Sequence, residues 1–320
     1  MEILIFIIAA FFAINMGAPS FAGSFATACG SRVLGKKTAG FLFLIFALAG
    51  ALLLGGEVSK TLSKGIIPAG LINSHTTLII LTAATLSLFT ANLMHIPQST
   101  SLSTLAAIWG VGAHYHQVNV SKAYFMIGYW VVSTIICFTL IYWLTRYVYP
   151  PKGRNFWIYE RVLQHQKRLK FIVIATSCYK GFAQGTNNVA NAVGPLFGAG
   201  LIGVNEGLLI MGIIFGLGAF GFTGPLNTSG EKIVPLGLLT ATIINIVSGT
   251  LTIIASKLGI PFPTVIVYTV AIFAIGSIKD GMGNMLGNPV TQKTFFTWII
   301  NPIVTFSVSL TLSNLFLAKM

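Results

Sequence analysis

A run of amides, hydroxyls and glycines interrupts apolar sequence at Gln184-Gly185-Thr186-Asn187-Asn188-Val189-Ala190-Asn191. These side chains are uncharged, yet they supply hydrogen-bond donors and acceptors in quantity. Each is costly in hydrocarbon unless bonded, so a chain that tolerates the run is expected to build a polar cavity near the membrane midplane. A weaker copy, Asn15-Met16-Gly17-Ala18-Pro19-Ser20-Phe21-Ala22-Gly23-Ser24, lies in the first half, with Gly17 and Gly185 168 residues apart. Two hydroxyl turns follow prolines, Ser99-Thr100-Ser101 after Pro97, and Thr264 after Pro261 and Pro263. Proline opens a helix, and an opened N-terminus carries partial positive charge and free N–H groups. That set suits a small oxyanion.

The candidate substrate-binding residues are therefore Gly17, Ser20, Ser99, Thr100, Ser101, Gly185, Asn187, Asn188, Pro263 and Thr264, with Asn15, Gln184 and Asn191 in support. The glycines would let backbone come close to the anion. No Lys or Arg falls inside the four motifs, so dipoles and neutral donors must hold the charge. Glu57 and Glu231 are a repeat-related pair of acids and candidates to carry a coupling ion; the competing reading pairs them with Lys60 and Lys232 at helix ends. Packing and bonding back to their own helix compete for each Ser and Thr. His75, His95, His114 and His116 are placed near loops, and Cys29, Cys137 and Cys178 have no metal-ligand spacing.

The elements that must position these residues are membrane helices. Of the 320 residues 55% are hydrophobic and 8% charged, far from the roughly quarter charged residues of a soluble domain. The net charge of +13 sits in short connections, a positive-inside pattern that argues for topology rather than nucleic acid. Its densest part, Arg146 to Lys170, is at mid-chain and is assigned to the cytoplasm. Apolar runs place spans near 2–29, 38–56, 66–94, 102–118 and 121–149, then 171–197, 201–223, 233–257, 262–279 and 294–318. The first two of each half are expected to be broken helices or re-entrant hairpins. Residues 1–149 thus form one transmembrane repeat, 150–170 a basic cytoplasmic linker, and 171–320 a second repeat. Trp130 and Trp298 fall at the same place in each half, again 168 residues apart. An odd number of crossings per half would make the repeats inverted.

These residues resemble the inorganic phosphate transporter (PiT) family, whose hallmark is a duplicated Gly-Ala-Asn-Asp-Val-Ala-Asn with a Pro-Val-Ser-Thr-Thr-His motif after each copy. Gly185-Thr186-Asn187-Asn188-Val189-Ala190-Asn191 and Pro97-Gln98-Ser99-Thr100-Ser101 are similar to these; Gly17 to Gly23 and Pro261 to Thr264 are more decayed copies. The resemblance covers the whole chain and is strongest to the branch of PiT-type sulfate permeases. It implies an all-α integral membrane protein of two inverted repeats, a homodimer, and a secondary active transporter. The chain departs from the family where its aspartates would stand: Ser20 and Asn188 replace them, which puts sodium coupling in doubt.

Losing those acids has a chemical reading. Phosphate at neutral pH can donate a hydrogen bond to a carboxylate, whereas sulfate meets only repulsion there. The expected activity is uptake of sulfate or thiosulfate with H+ or Na+, across a bacterial or archaeal cell membrane. Phosphate is the alternative substrate and an anion channel the alternative class. No cofactor is expected, and no nucleophile, base and acid stand together as an enzyme would need.

Overall fold

The computed structural model describes residues 1–94, 96, 98–221 and 237–317. His95, Pro97 and Glu231, which the motifs bring into question, lie outside the described residues. All regular structure among the described residues is helical: α1 (Glu2–Gly30), α2 (Lys36–Lys64), α3 (Ser74–Leu93), α4 (Thr100–His114) and α5 (Val120–Val148) in the first half. After a short helix in the linker, α6 (Phe156–Gln164), the second half contains α7 (Gln166–Asn188), α8 (Ala190–Gly198), α9 (Val204–Gly221), α10 (Leu238–Lys257), α11 (Thr264–Lys279), α12 (Met282–Gly287) and α13 (Pro289–Phe316). Seven of these helices are long and apolar enough to cross a membrane.

Local chemistry sets several starts. Asn73 and Thr76 form a capping box ahead of α3, and Asn119 caps α5. Asn288 caps α13, with Pro289 in its first turn. Ser99 opens α4 by accepting the Leu102 N–H at 3.3 Å. α4 and α11, of 15 and 16 residues, are about 22–24 Å long and so fall short of the hydrocarbon core.

The two halves pack in matching pairs. α1 lies on α9 as α7 lies on α2; α1 on α3 as α7 on α10; α4 on α13 as α11 on α5. Glycines allow the tightest crossings. A Cβ on Gly185 would run into the Ala47 carbonyl of α2, and one on Gly17 into the Phe215 carbonyl of α9. Gly50 and Gly218 make the reciprocal contacts, against the Phe182 and Ile14 carbonyls. Gly17 and Gly185 therefore serve helix crossings, the face where a Cβ would stand being filled by neighbouring backbone.

The breaks also fall elsewhere than expected. α1 runs unbroken through Pro19, and α2 continues past Gly55 and Gly56 to Lys64. Proline at 19 removes the N–H that would bond the Asn15 carbonyl; Asn92 of α3 donates to that carbonyl instead, at 3.0 Å. The second patch is interrupted only at Val189, whose backbone stays in the right-handed helical region. Buried non-helical backbone lies at the tips joining α3 to α4 and α10 to α11, as well as at Ile66, Ile67 and Ile72 between α2 and α3. Gln98 and Ser99 are buried in the first tip, and Ile260 and Phe262 in the second.

Candidate functional site

Both tips converge on the end of α7. Asn187 clamps the second tip with both ends of its amide: its Nδ2 donates to the Ile260 carbonyl at 3.0 Å, and its Oδ1 accepts the Phe262 N–H at 2.8 Å. Nδ2 also reaches Ser256 Oγ at 3.0 Å, and the Ser101 hydroxyl reaches Oδ1 at 3.4 Å. A buried tip needs such bonds, since its peptide groups have no water. Trp130 of α5 completes the clamp by donating to the Pro261 carbonyl at 2.8 Å. At the first tip, Gln98 donates to Ser87 and Ser103 at 2.9 and 2.6 Å and accepts from Asn301 of α13.

Asn188 is the centre. Its Nδ2 donates to Ser20 Oγ at 2.9 Å and Gln184 Oε1 at 2.8 Å, with Thr264 Oγ1 at 3.3 Å. Its Oδ1 accepts from the hydroxyls of Thr100 at 3.4 Å and Thr264 at 3.3 Å. Ser20 and Asn188 are repeat mates 168 residues apart, and they touch. Thr100 and Thr264 open the half-length helices of the two repeats, and they flank the same amide oxygen. Asn191 donates to the hydroxyls of Thr100 and Ser101 at 3.3 and 3.1 Å. Its own Oδ1 has no partner among the described residues.

Ser20, Ser99, Thr100, Ser101, Gln184, Asn187, Asn188, Asn191 and Thr264 are each at most 1% exposed. The motifs predict a polar cavity; in the structure their side chains close on one another. The cluster is closed because its donors find acceptors both within their own half, as Asn187 does at Ser256 and Ile260, and across to the other, as Asn188 does at Ser20 and Asn191 at Thr100 and Ser101. An oxyanion entering it would take over the donors of those bonds, while acceptors such as Asn188 Oδ1 and Gln184 Oε1 would have to turn away from it. Helix N-termini at Ser99 and Pro263 point their first turns into the same layer. Among the described residues no group of His, Cys, Asp and Glu could hold a metal.

Some expected members stand apart. Asn15 bonds its own helix through Phe11 and meets Asn92, as support for the α1 backbone. Pro263 is the residue before α11 and offers no donor, so its part is to set the helix start. Glu57 is 59% exposed and pairs with Lys60 at 2.7 Å, away from the cluster. Sequence reasoning missed Asn92, Ser256 and Asn301, whose isolated polar side chains had no motif to mark them, and left Gln98 unassigned although it stands inside the second motif. It also missed Lys180, a single basic residue inside an apolar span and wholly buried. A lone charge in a span was the available signal.

The phosphate transporter family model matches residues 16–309. The chain belongs to the phosphate transporter family. Sulfate permease CysP of Bacillus subtilis is 37% identical over 99% of this chain and 88% of its own. A permease of Thermococcus kodakarensis named for phosphate is 26% identical over 92% of each chain. A solved sodium-dependent phosphate transporter superposes with TM-score 0.82, covering 100% of this chain and 99% of that one at 22% identity, which carries the fold alone. As a family member this chain is a multi-pass membrane transporter. Family membership and the apolar helices agree with the composition's reading of the chain.

Proposed function

We propose that this transporter carries sulfate or thiosulfate inward by secondary active transport. One observation supports this most: the cluster joining the two repeats is built wholly from neutral hydrogen-bonding groups, with Ser20 and Asn188 bonded where a carboxylate would repel a dianion. Sulfate has no proton to give a carboxylate, and neutral donors accommodate it without that repulsion. The likeness to a sulfate permease over 99% of the chain supports the same substrate. Phosphate is the second reading, favoured by the relative named for it.

The paired contacts of α1 with α9 and α7 with α2 support two repeats exchanged about a common axis, and we take them as inverted. In that arrangement the two hairpin tips hold a fixed midplane site while the packed helices rock about it. The basic stretch 150–170 lies on the cytoplasmic side by the positive-inside bias, and the protein works as a homodimer in a bacterial or archaeal cell membrane.

Calorimetric titration of detergent-purified protein tests the substrate. Sulfate should bind at least about tenfold more tightly than phosphate, a difference of about 1.4 kcal/mol; the opposite order would move the assignment to phosphate. Uptake into vesicles beyond the anion's own electrochemical gradient separates a carrier from a channel.

A further inference from the structure

Lys180 is 0% exposed, and its ammonium nitrogen has no hydrogen-bond partner among the described residues. It sits on α7 one turn before Gln184 and two turns before Asn188, so these residues share a helix face. At 1.5 Å per residue the Lys180 Cα is about 6 Å from that of Gln184 and about 12 Å from that of Asn188. Gln184 accepts from Asn188 at 2.8 Å, so the lysine is one turn from the bonded cluster. On the linker side, Ser177 accepts from Asn245 of α10 at 3.4 Å. Asn245 lies in a shallow polar depression with Ser24, Thr27 and Tyr268. Lys180 thus stands on α7 between Ser177, which meets Asn245, and Gln184, which meets Asn188.

Among the described residues no carboxylate is at hand to neutralise it. Glu2, Glu57, Glu160, Glu206 and Asp280 are all exposed. Cys137 of α5 is the titratable group that faces the amine, and its thiol donates to the Val267 carbonyl of α11 at 3.7 Å. α11 also contributes the buried Tyr268, which lies across Gly23 from Gln184. The ionisable residues of α1 and α8 add only Glu2 and the half-buried Cys29, and the lysines of α2 and α10 are exposed near the helix ends or beside Glu57.

An ammonium in this setting has no counter-charge among the described residues, and a dianion among neutral donors has none there either. Each would make the other's arrival favourable. We propose that Lys180 couples the anion to a proton: its amine binds one proton together with the tetrahedral dianion and supplies the positive charge that the neutral cluster lacks. The flexible four-carbon stem brings the ammonium toward Gln184 as the anion seats. The proton comes from the water on the loading side. When the anion leaves, the ammonium loses its partner and returns the proton to water on the release side, restoring the neutral amine. One proton moves with each anion, and the charge carried through the bilayer falls from two to one. This rests on the oxyanion reading of the Asn188 cluster.

Sulfate titrations of the purified full chain, repeated in buffers of different ionisation enthalpy from about pH 6.5 to about pH 8.5, test it. Wild type should take up about one proton per sulfate at the alkaline end, with affinity falling about tenfold per pH unit there. Lys180→Met should bind sulfate at least about tenfold more weakly and take up no proton. Lys180→Arg should bind with no proton uptake, since guanidinium stays charged. Thermal melting checks that the variants fold; should Lys180→Met not fold, wild type against Lys180→Arg decides. Sulfate binding by wild type without proton uptake, or equal uptake by either variant, would overturn the coupling and leave the anion site standing. No sulfate binding by wild type at any pH would overturn both.

Discussion

The two copies of the polar patch share an ancestry of position but divide the work. In the second copy, Gln184, Asn187, Asn188 and Asn191 all direct side chains into the buried network. At the same offset of 168 residues the first copy has Met16, Pro19, Ser20 and Gly23, and only Ser20 reaches the cluster. The first copy instead spends its irregularity on the helix itself: Pro19 frees the Asn15 carbonyl, and Asn92 takes it up. What stayed alike is the close packing, where Gly17 and Gly185 meet the backbones of α9 and α2. The close packing is alike in the two halves, while the hydrogen-bonding side chains collect in the second.

Breaking the clamp should show the largest difference. Asn187→Ala orphans the Ile260 carbonyl and the Phe262 N–H, at a cost of about 2–4 kcal/mol, read as a lower melting temperature in detergent and lost transport. The same position in the first copy, Pro19→Ala, should change stability by no more than about 1 kcal/mol. Equal effects would mean that the copies are equivalent after all. Gly185→Ala and Gly17→Ala should each cost about 1–3 kcal/mol, and by similar amounts, because each methyl meets a carbonyl of the opposing helix. Asn188→Asp should weaken sulfate binding at least about tenfold by placing a carboxylate against the dianion; unchanged affinity in calorimetry would put Asn188 outside the anion site. Glu57→Gln should be the mildest, within about 0.5 kcal/mol in stability and with near-normal uptake, since the Glu57–Lys60 pair is exposed.

Much of this was legible in the sequence, for a physical reason. Polar residues are rare in membrane helices, so Ser20, Thr100, Asn188 and Thr264 stood out and proved to meet in one network. The all-helical fold and the match between halves were readable from hydropathy and repeated motifs. Helix ends were not. Gly55 and Gly56 look like a stop, but Gly55 lies against Leu208 of α9 and the helix runs on to Lys64. Glycine in a membrane helix marks a crossing as readily as a break, and sequence alone does not separate the two. The closed state of the cluster was equally hidden, because composition shows how many donors a chain has and not which of them find each other. Lys180 escaped because charge was read in clusters, where it reports topology, whereas a single buried cation reports chemistry.

The central claim is that a dianion is held at Asn188 by neutral donors from both repeats. Selenate has the shape and charge of sulfate and scatters X-rays anomalously, so a crystal of the selenate complex tests the claim directly. The account predicts a selenium peak within hydrogen-bonding reach of Asn188, Ser20 and Thr264, bridging α1, α7 and α11. A peak at any other place in the bundle, with the Ser20–Asn188 bond intact, would contradict it.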